Sequence, residues 1–282
     1  MLESKILTHR GAVRDVNEDC IAEDLARGFW VLADGVGGAG NGDVASQICV
    51  QVIERSVRQG DSLQQALLNA NQALLDAAQA NPELEGMCST AIVCRFDAGH
   101  FELAWVGDSR AYLVNNQGIV QLTRDHSLAN ALRDQGELSE AQVQSQSRGN
   151  ELAQALGQLD LASIPRSLGE LHDGESLLLC TDGLSGVLLE TELASLMQSG
   201  ETLDNTADKL LNRVLEEGAP DNVTFALVRY KLDEPKIRAR DFQKSKGYRA
   251  PFDRRPYEKN LRWRPYVLVI ILLSLFALFV LI

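Results

Sequence analysis

Carboxylates beside glycine recur through this 282-residue chain, and the first sits in FWVLADGVGGAGNGDVAS, Phe29 to Ser46. An apolar run ends there in a single acid, Asp34, followed by a glycine-rich bend and then a helical pattern. Three chemistries suit a glycine loop between a strand and a helix. Gly35, Gly37 and Gly40 satisfy the G-x-G-x-x-G of a dinucleotide site. Asp34 would repel a pyrophosphate, however, and the following stretch reads as two helices rather than a strand ending in an acid. Gly37 and Gly42 have the spacing of a phosphate-cradling loop, yet Asp43-Val44 stands where Lys-Ser/Thr is required. The third chemistry is a hard-cation site, with Asp34 as ligand and glycines that let carbonyls and water approach. It requires other carboxylates in the same setting.

They are present. ILTHRGAVRDVNEDCIAED packs Arg14, Asn17, Glu18 and Asp19 into six residues, which alone reads as an exposed polar turn. LAWVGDSRAYLV places Asp108 in a tight bend between two apolar runs, and SLLLCTDGLSG ends another run in Asp182-Gly183. GAPDNVTFALVRY sets Asp221 and Asn222 just before a last strand. One such aspartate is usually a turn-former. Asp34, Asp108, Asp182 and Asp221 together, with Glu18 and Asp19, point to oxygen ligation of a hard cation.

The ordered set RDVNED, DGVGG, VGDSRAYL, TRDHSL, CTDGL and DNVT resembles the metal-dependent Ser/Thr protein phosphatases, the protein phosphatase 2C family of bacterial type. It spans nearly all of residues 1–232 in the family order. The resemblance implies an α+β fold, a four-layer α-β-β-α sandwich of two central antiparallel sheets flanked by helices. It implies two Mn²⁺ or Mg²⁺ ions, with a third in many members. Asp34 would bridge two ions and the Gly35 carbonyl would ligate one; Asp182 would hold the first and Asp221 the second. Glu18 and Asp19 would fix coordinated waters, Asp108 with Asp182 would serve the third ion, and Arg14 would clamp the substrate phosphate. Many eukaryotic members carry a histidine right after the Asp-Gly as general acid. This chain has Val36, in common with the apolar residue of many bacterial members, so the proton donor stays unassigned. His126 is the nearest imidazole by motif and reads as structural. Asn222 is expected to orient Asp221, and Ser89, Ser109 and Thr181 to support turns.

Periodicity supplies the elements. A buried strand is expected at Phe29–Ala33, within one or two strands over 5–33, and helices at Asp43–Gln59 and Asp61–Ala80. Asp61 with Gln64 forms the expected capping box, and Leu63, Ala66, Leu67, Ala70 and Leu74 share a face. Strands follow near 89–96, 100–107, 110–115 and 118–122, with a hairpin turn at Asn115–Gly118. Ser127–Leu159 is polar and Gln-rich with short helical patterns. A strand near 175–181, helices near 187–198 and 202–217, and a strand near 222–231 complete an α+β pattern.

Five cysteines without a C-x-x-C pair read as reduced core thiols, not as a disulfide frame or zinc site. Cys49 to Arg55 matches C-x5-R, but CVQVIER lacks the glycine-rich loop of cysteine phosphatases. Charge divides the chain. Residues 235–266 hold eleven Lys/Arg and three Asp/Glu, net +8, leaving 16 basic and 36 acidic residues elsewhere, net −20, within a total of −12. An acidic domain of that kind argues against nucleic acid as partner.

Tyr266–Ile282 is 17 residues without a charge. At ~1.5 Å per residue it spans roughly 25 Å, at the short end for a bilayer helix. Arg262, Trp263 and Arg264 stand at its entrance, and the Lys/Arg excess before it predicts a cytoplasmic catalytic domain. The expected organisation is a phosphatase domain at 1–232, a basic juxtamembrane linker at 233–265 able to touch anionic lipid, and a transmembrane helix at 266–282. MLESKILTHRG has no apolar core of a signal peptide, so the pattern is that of a single-pass, tail-anchored membrane enzyme. Phosphorylated proteins, including a membrane-associated Ser/Thr kinase and its substrates, are the expected partners. The alternatives are a pseudophosphatase scaffold and a small-molecule phosphohydrolase.

Overall fold

The architecture follows from strands that are apolar on both faces. In a computed structural model, which describes residues 1–36, 40–134, 151–161 and 163–232, β1 (Leu2–His9), β2 (Asp19–Asp24) and β3 (Phe29–Val36) come first. Helices α1 (Gly42–Gln59) and α2 (Leu63–Ala80) follow, then β4 (Cys88–Ser89), β5 (Ala91–Asp97), β6 (His100–Val106), β7 (Arg110–Asn115) and β8 (Gly118–Gln121). After α3 (Leu128–Asp134) come β9 (Arg166–Glu170), β10 (Ser176–Cys180), α4 (Asp182–Ser185), α5 (Glu190–Met197), α6 (Leu203–Glu216) and β11 (Val223–Tyr230).

The strands build two antiparallel sheets. One has the order β1-β11-β10-β7-β8; the other runs β2-β3-β5-β6-β9, with β4 added alongside the end of β3. Alternation along each strand assigns its side chains to two cores. Phe29, Val31 and Ala33 of β3 pack with Ala45, Cys49 and Ile53 of α1 and Leu67 and Leu74 of α2. Trp30 and Leu32 face the other way, toward Leu177, Leu179, Ala226 and Val228 of the other sheet. On that sheet's far side, Leu178, Phe225 and Leu227 pack with Leu193, Leu210 and Val214 of α5 and α6. Helices, sheet, sheet, helices: three apolar cores separate four layers, as the α+β expectation required.

Several local expectations change. β3 does not stop at Ala33: β4 pairs Gly35 with Ser89 and Val36 with Cys88, which carries the strand through Asp34. The α2 face is buried as expected, but its cap is Ser62, whose hydroxyl accepts the Gln65 N–H at 3.2 Å. Asp61 instead accepts from the Asn69 amide at 3.2 Å. β9 was not expected, because a short edge strand with one face in water carries little apolar pattern. Asp182 opens a helical turn rather than simply ending a strand. All five cysteines are free thiols, with Cys49, Cys94 and Cys180 buried.

Among the described residues no helix is long and apolar enough to cross a membrane. The expected transmembrane helix at 266–282 and basic linker at 233–265 lie outside the described residues, as do Gly37–Ala39 and residues 135–150 of the Gln-rich segment.

Candidate active site

The site is assembled where strands of both sheets end together. β2 and β3 pair with Asp19 directly opposite Asp34. Asp182 follows β10, Asp221 precedes β11, and Asp108 occupies the bend between β6 and β7. Arg14, Glu18, Asp34, Gly35, Val36, Asp108, Asp182, Asp221 and Asn222, joined by Leu152, line one cavity of about 400 Å³. Asp19 stands behind this wall, 8 % exposed. Its Oδ2 accepts the Thr181 hydroxyl at 3.0 Å, while its buried Oδ1 has no hydrogen-bond partner among the described residues.

Close backbone approach accounts for the glycines. A Cβ on Gly35 would lie 1.8 Å from the Gly42 carbonyl oxygen, so the end of β3 meets the start of α1 only without a side chain. Asn41 makes no side-chain cap there. Glu18 takes that place: its Oε1 accepts the Gly42 N–H at 3.2 Å, a carboxylate at the positive end of the helix dipole.

The loop carrying Arg14 and Glu18 is held from the far end of the chain. The Asn222 side-chain amide donates to the Arg10 carbonyl at 2.8 Å and the Val16 carbonyl at 2.9 Å, and its Oδ1 accepts the Glu18 N–H at 2.8 Å. Its backbone N–H donates to Asp221 Oδ1 at 2.8 Å. So Asn222 orients Asp221 through its main chain and braces the Arg14 loop with its side chain, a role sequence reading missed. Arg14 Nη2 lies 2.8 Å from Asp221 Oδ2.

Like charges dominate the electrostatics. Burial, then repulsion from Asp19, Asp182, Asp108 and Asp221, holds the Asp34 carboxyl well above the ordinary carboxylate range. Burial chiefly, with repulsion from Asp182 and Asp221, pushes Asp19 up to about 7. Burial and then Asp182 push Asp108 up to about 6. Asp182 also moves upward, from desolvation by the cavity walls and then from Asp221, although its own surface is open and solvent tempers the effect.

This donor set fits a hard divalent cation. All the side-chain donors are oxygens, their mutual repulsion would be relieved by positive charge, and Asp19 Oδ1 lacks a counter-group. Among the described residues no group of three or more His, Cys, Asp or Glu is arranged to hold an ion unaided. An ion on one or two carboxylates completes its shell with backbone carbonyl and water.

His126 does not line this cavity. Its Nδ1 accepts the Gly107 N–H at 3.2 Å and its own N–H donates to the Gly107 carbonyl at 2.9 Å, a pairing that supports the Asp108 bend. Burial lowers its basicity. Val36, 41 % exposed, lines the catalytic cavity.

The raised carboxylates set a pH dependence. An acid with a higher pKa folded than unfolded keeps its proton in the native state after the unfolded chain has lost it. Metal-free stability should therefore fall as pH rises from near 3.8 to about 7, the span of the Asp19 shift. A cation binding the ionised carboxylates should stabilise more as pH rises. At about 100-fold over Kd, Mn²⁺ contributes about 2.7 kcal/mol, roughly 5–10 °C in Tm for a domain of this size. Calorimetric melts should show that shift near pH 8 and less than half of it near pH 5.5. An equal shift at both values would show that these carboxylates are not the ligands.

Comparison with known proteins agrees with this geometry. The profile of the Protein phosphatase 2C family matches residues 9–227. The serine/threonine phosphatase stp of Listeria monocytogenes is 30% identical over 246 residues, covering 83% of this chain and 98% of that protein. Serine/threonine protein phosphatase PstP of Mycobacterium tuberculosis is 31% identical over 224 residues, 77% of this chain and 43% of PstP. The crystal structure of PstP superimposes with a TM-score of 0.73 at 29% identity, covering 82% of this chain and 99% of that one. A PstP catalytic domain crystallised with two manganese ions gives 0.71 at 27% identity, covering 82% and 99%. By profile, relatives and fold alike, this chain belongs to the protein phosphatase 2C family and is a protein serine/threonine phosphatase.

Proposed function

We propose that the chain hydrolyses phosphoserine and phosphothreonine in proteins with a binuclear Mn²⁺ or Mg²⁺ centre, at the cytoplasmic face of a membrane. The convergence of Asp34, Asp108, Asp182 and Asp221 with Arg14 on one cavity carries the reading. Asp34, the Gly35 carbonyl, Asp182 and Asp221 are the groups that would hold two ions, with Asp108 available to a third. Such ions, when bound, neutralise phosphoryl charge and activate a water. Glu18 and Asp19 fix the surroundings of that centre, Glu18 from the start of α1 and Asp19 from behind the wall. Arg14 presents a planar guanidinium fork to two phosphoryl oxygens. With Asp221 committed elsewhere, its present ion pair is replaced by the substrate.

The membrane placement rests on residues 266–282 and the basic stretch before them, which would keep the domain beside membrane-bound phosphoproteins, including a cognate kinase. A pseudophosphatase would lack core acids, and none is missing. The test uses the full chain from a membrane fraction on a phosphothreonine peptide. Activity should sediment with the membranes, vanish in EDTA and return with Mn²⁺. Turnover that persists in EDTA would overturn the metal-dependent reading, and activity confined to the supernatant would overturn the membrane placement.

A further inference from the structure

Thr90 lies between β4 and β5, 1 % exposed, and touches two parts of the site at once. The pairings Leu32 with Ile92 and Gly35 with Ser89 place it directly opposite Asp34. Its N–H donates to the Asp34 carbonyl at 2.8 Å. The return bond is unusual: the Asp34 N–H donates to the Thr90 hydroxyl at 3.1 Å rather than to a strand carbonyl. The same hydroxyl lies 2.8 Å from Ser109 Oγ, also 1 % exposed. Ser109 immediately follows Asp108. The bend is pressed against Thr90 as well, since a Cβ on Gly107 (φ +106°) would fall 2.6 Å from Thr90 Cβ and Cγ2.

A Thr90–Ser109 hydroxyl pair thus joins the backbone of Asp34 to the bend of Asp108. We propose that Thr90 is a positioning residue whose hydroxyl sets Asp108 relative to Asp34, and so governs the affinity of the cation position that uses Asp108. This rests on the metal-dependent reading above. When the Thr90 hydroxyl is lost the Asp34 N–H loses its acceptor, but the Asp34 carbonyl keeps the Thr90 N–H and the Ser89 hydroxyl at 2.9 Å, so Asp34 stays in the strand while the link to the Asp108 bend is cut.

Mn²⁺ titration calorimetry on the full chain tests it, with metal-free melts as the measure of folding. Thr90→Val keeps the shape and removes the hydroxyl. It should weaken the most weakly held of the resolved Mn²⁺ ions by at least ~10-fold while shifting the tightest by less than ~3-fold, the scale on which partners of metal ligands act. Thr90→Ser should restore the wild-type isotherm. Ser109→Ala, which cuts the hydroxyl–hydroxyl bond from the other side and leaves the Asp34 N–H its acceptor, should reproduce the weakening of the most weakly held ion and carries the test if Thr90→Val does not fold. The double variant should bind no more weakly than Thr90→Val, because the one bond that Ser109→Ala removes is already lost there. Unchanged isotherms in Thr90→Val and Ser109→Ala overturn the proposal alone, as does a Thr90→Ser isotherm as weak as that of Thr90→Val. Wild-type protein that binds no Mn²⁺ overturns the metal-dependent reading and this proposal with it.

Discussion

Asp34→Asn is expected to lower kcat/KM on a phosphothreonine peptide by about a thousandfold or more, equivalent to about 4 kcal/mol of transition-state stabilisation. The amide keeps the size of the carboxylate but gives up one anionic oxygen in the cavity shared with Asp108, Asp182 and Asp221. The same change should stabilise the metal-free protein near pH 8. Asp34 is held well above the ordinary carboxylate range by burial and four neighbouring acids, so its ionised form is a native-state liability that asparagine removes. Melting curves should therefore show a higher Tm without metal and a reduced Mn²⁺ shift, opposite signs from one substitution. A variant with turnover within tenfold of wild type would remove Asp34 from the catalytic centre. A lower metal-free Tm would show that its repulsion with the other acids is not felt.

Asn222→Asp should be the second large loss. Two carbonyls, of Arg10 and Val16, lie 2.8 and 2.9 Å from the donor nitrogen, and aspartate would turn an oxygen toward both. Each of these part-buried hydrogen bonds contributes about 0.5–1.5 kcal/mol, before the added charge beside Asp221 is counted. Tm should fall by roughly 5–15 °C. Activity should drop further than folding explains, because the released loop carries Arg14 and Glu18, and misplacement by about 1 Å costs on the order of a hundredfold. Steady-state kinetics well below the Tm separates the effects: a wild-type kcat/KM in folded Asn222→Asp would confine Asn222 to stability.

How much of this was legible in the chain depends on range. The buried run from Phe29 to Ala33, the buried α2 face from Leu63 to Leu74 and the Asn115–Gly118 turn are local patterns, and the structure keeps them. The convergence of acids was legible only because similar Asp-Gly settings recur. What stayed hidden involves partners far apart. Nothing near Asn222 announces that its amide reaches residues 212 and 206 positions away. Thr90 looks like any strand residue until the Asp108 bend is laid against it. Glu18 capped α1 unseen because it lies 24 positions before the Gly42 N–H it accepts. Thr181 before Asp182 is a helix-start signal that could have revealed α4.

Among the described residues the first strand pairs with the last, which has a consequence for biogenesis. β1 lies against β11 along its whole length, from Leu2 beside Tyr230 to His9 beside Val223, and β11 sits between β1 and β10. The earliest-made strand therefore waits with an unsatisfied edge for the latest-made one, a contact of very long sequence separation that slows folding. Until it forms, Asp221 and the Asn222 brace are absent from the Arg14 loop. The nascent chain lacks a complete catalytic centre until Asp221 has been made and β11 has paired, so phosphatase activity begins only when the whole domain has been synthesised and closed.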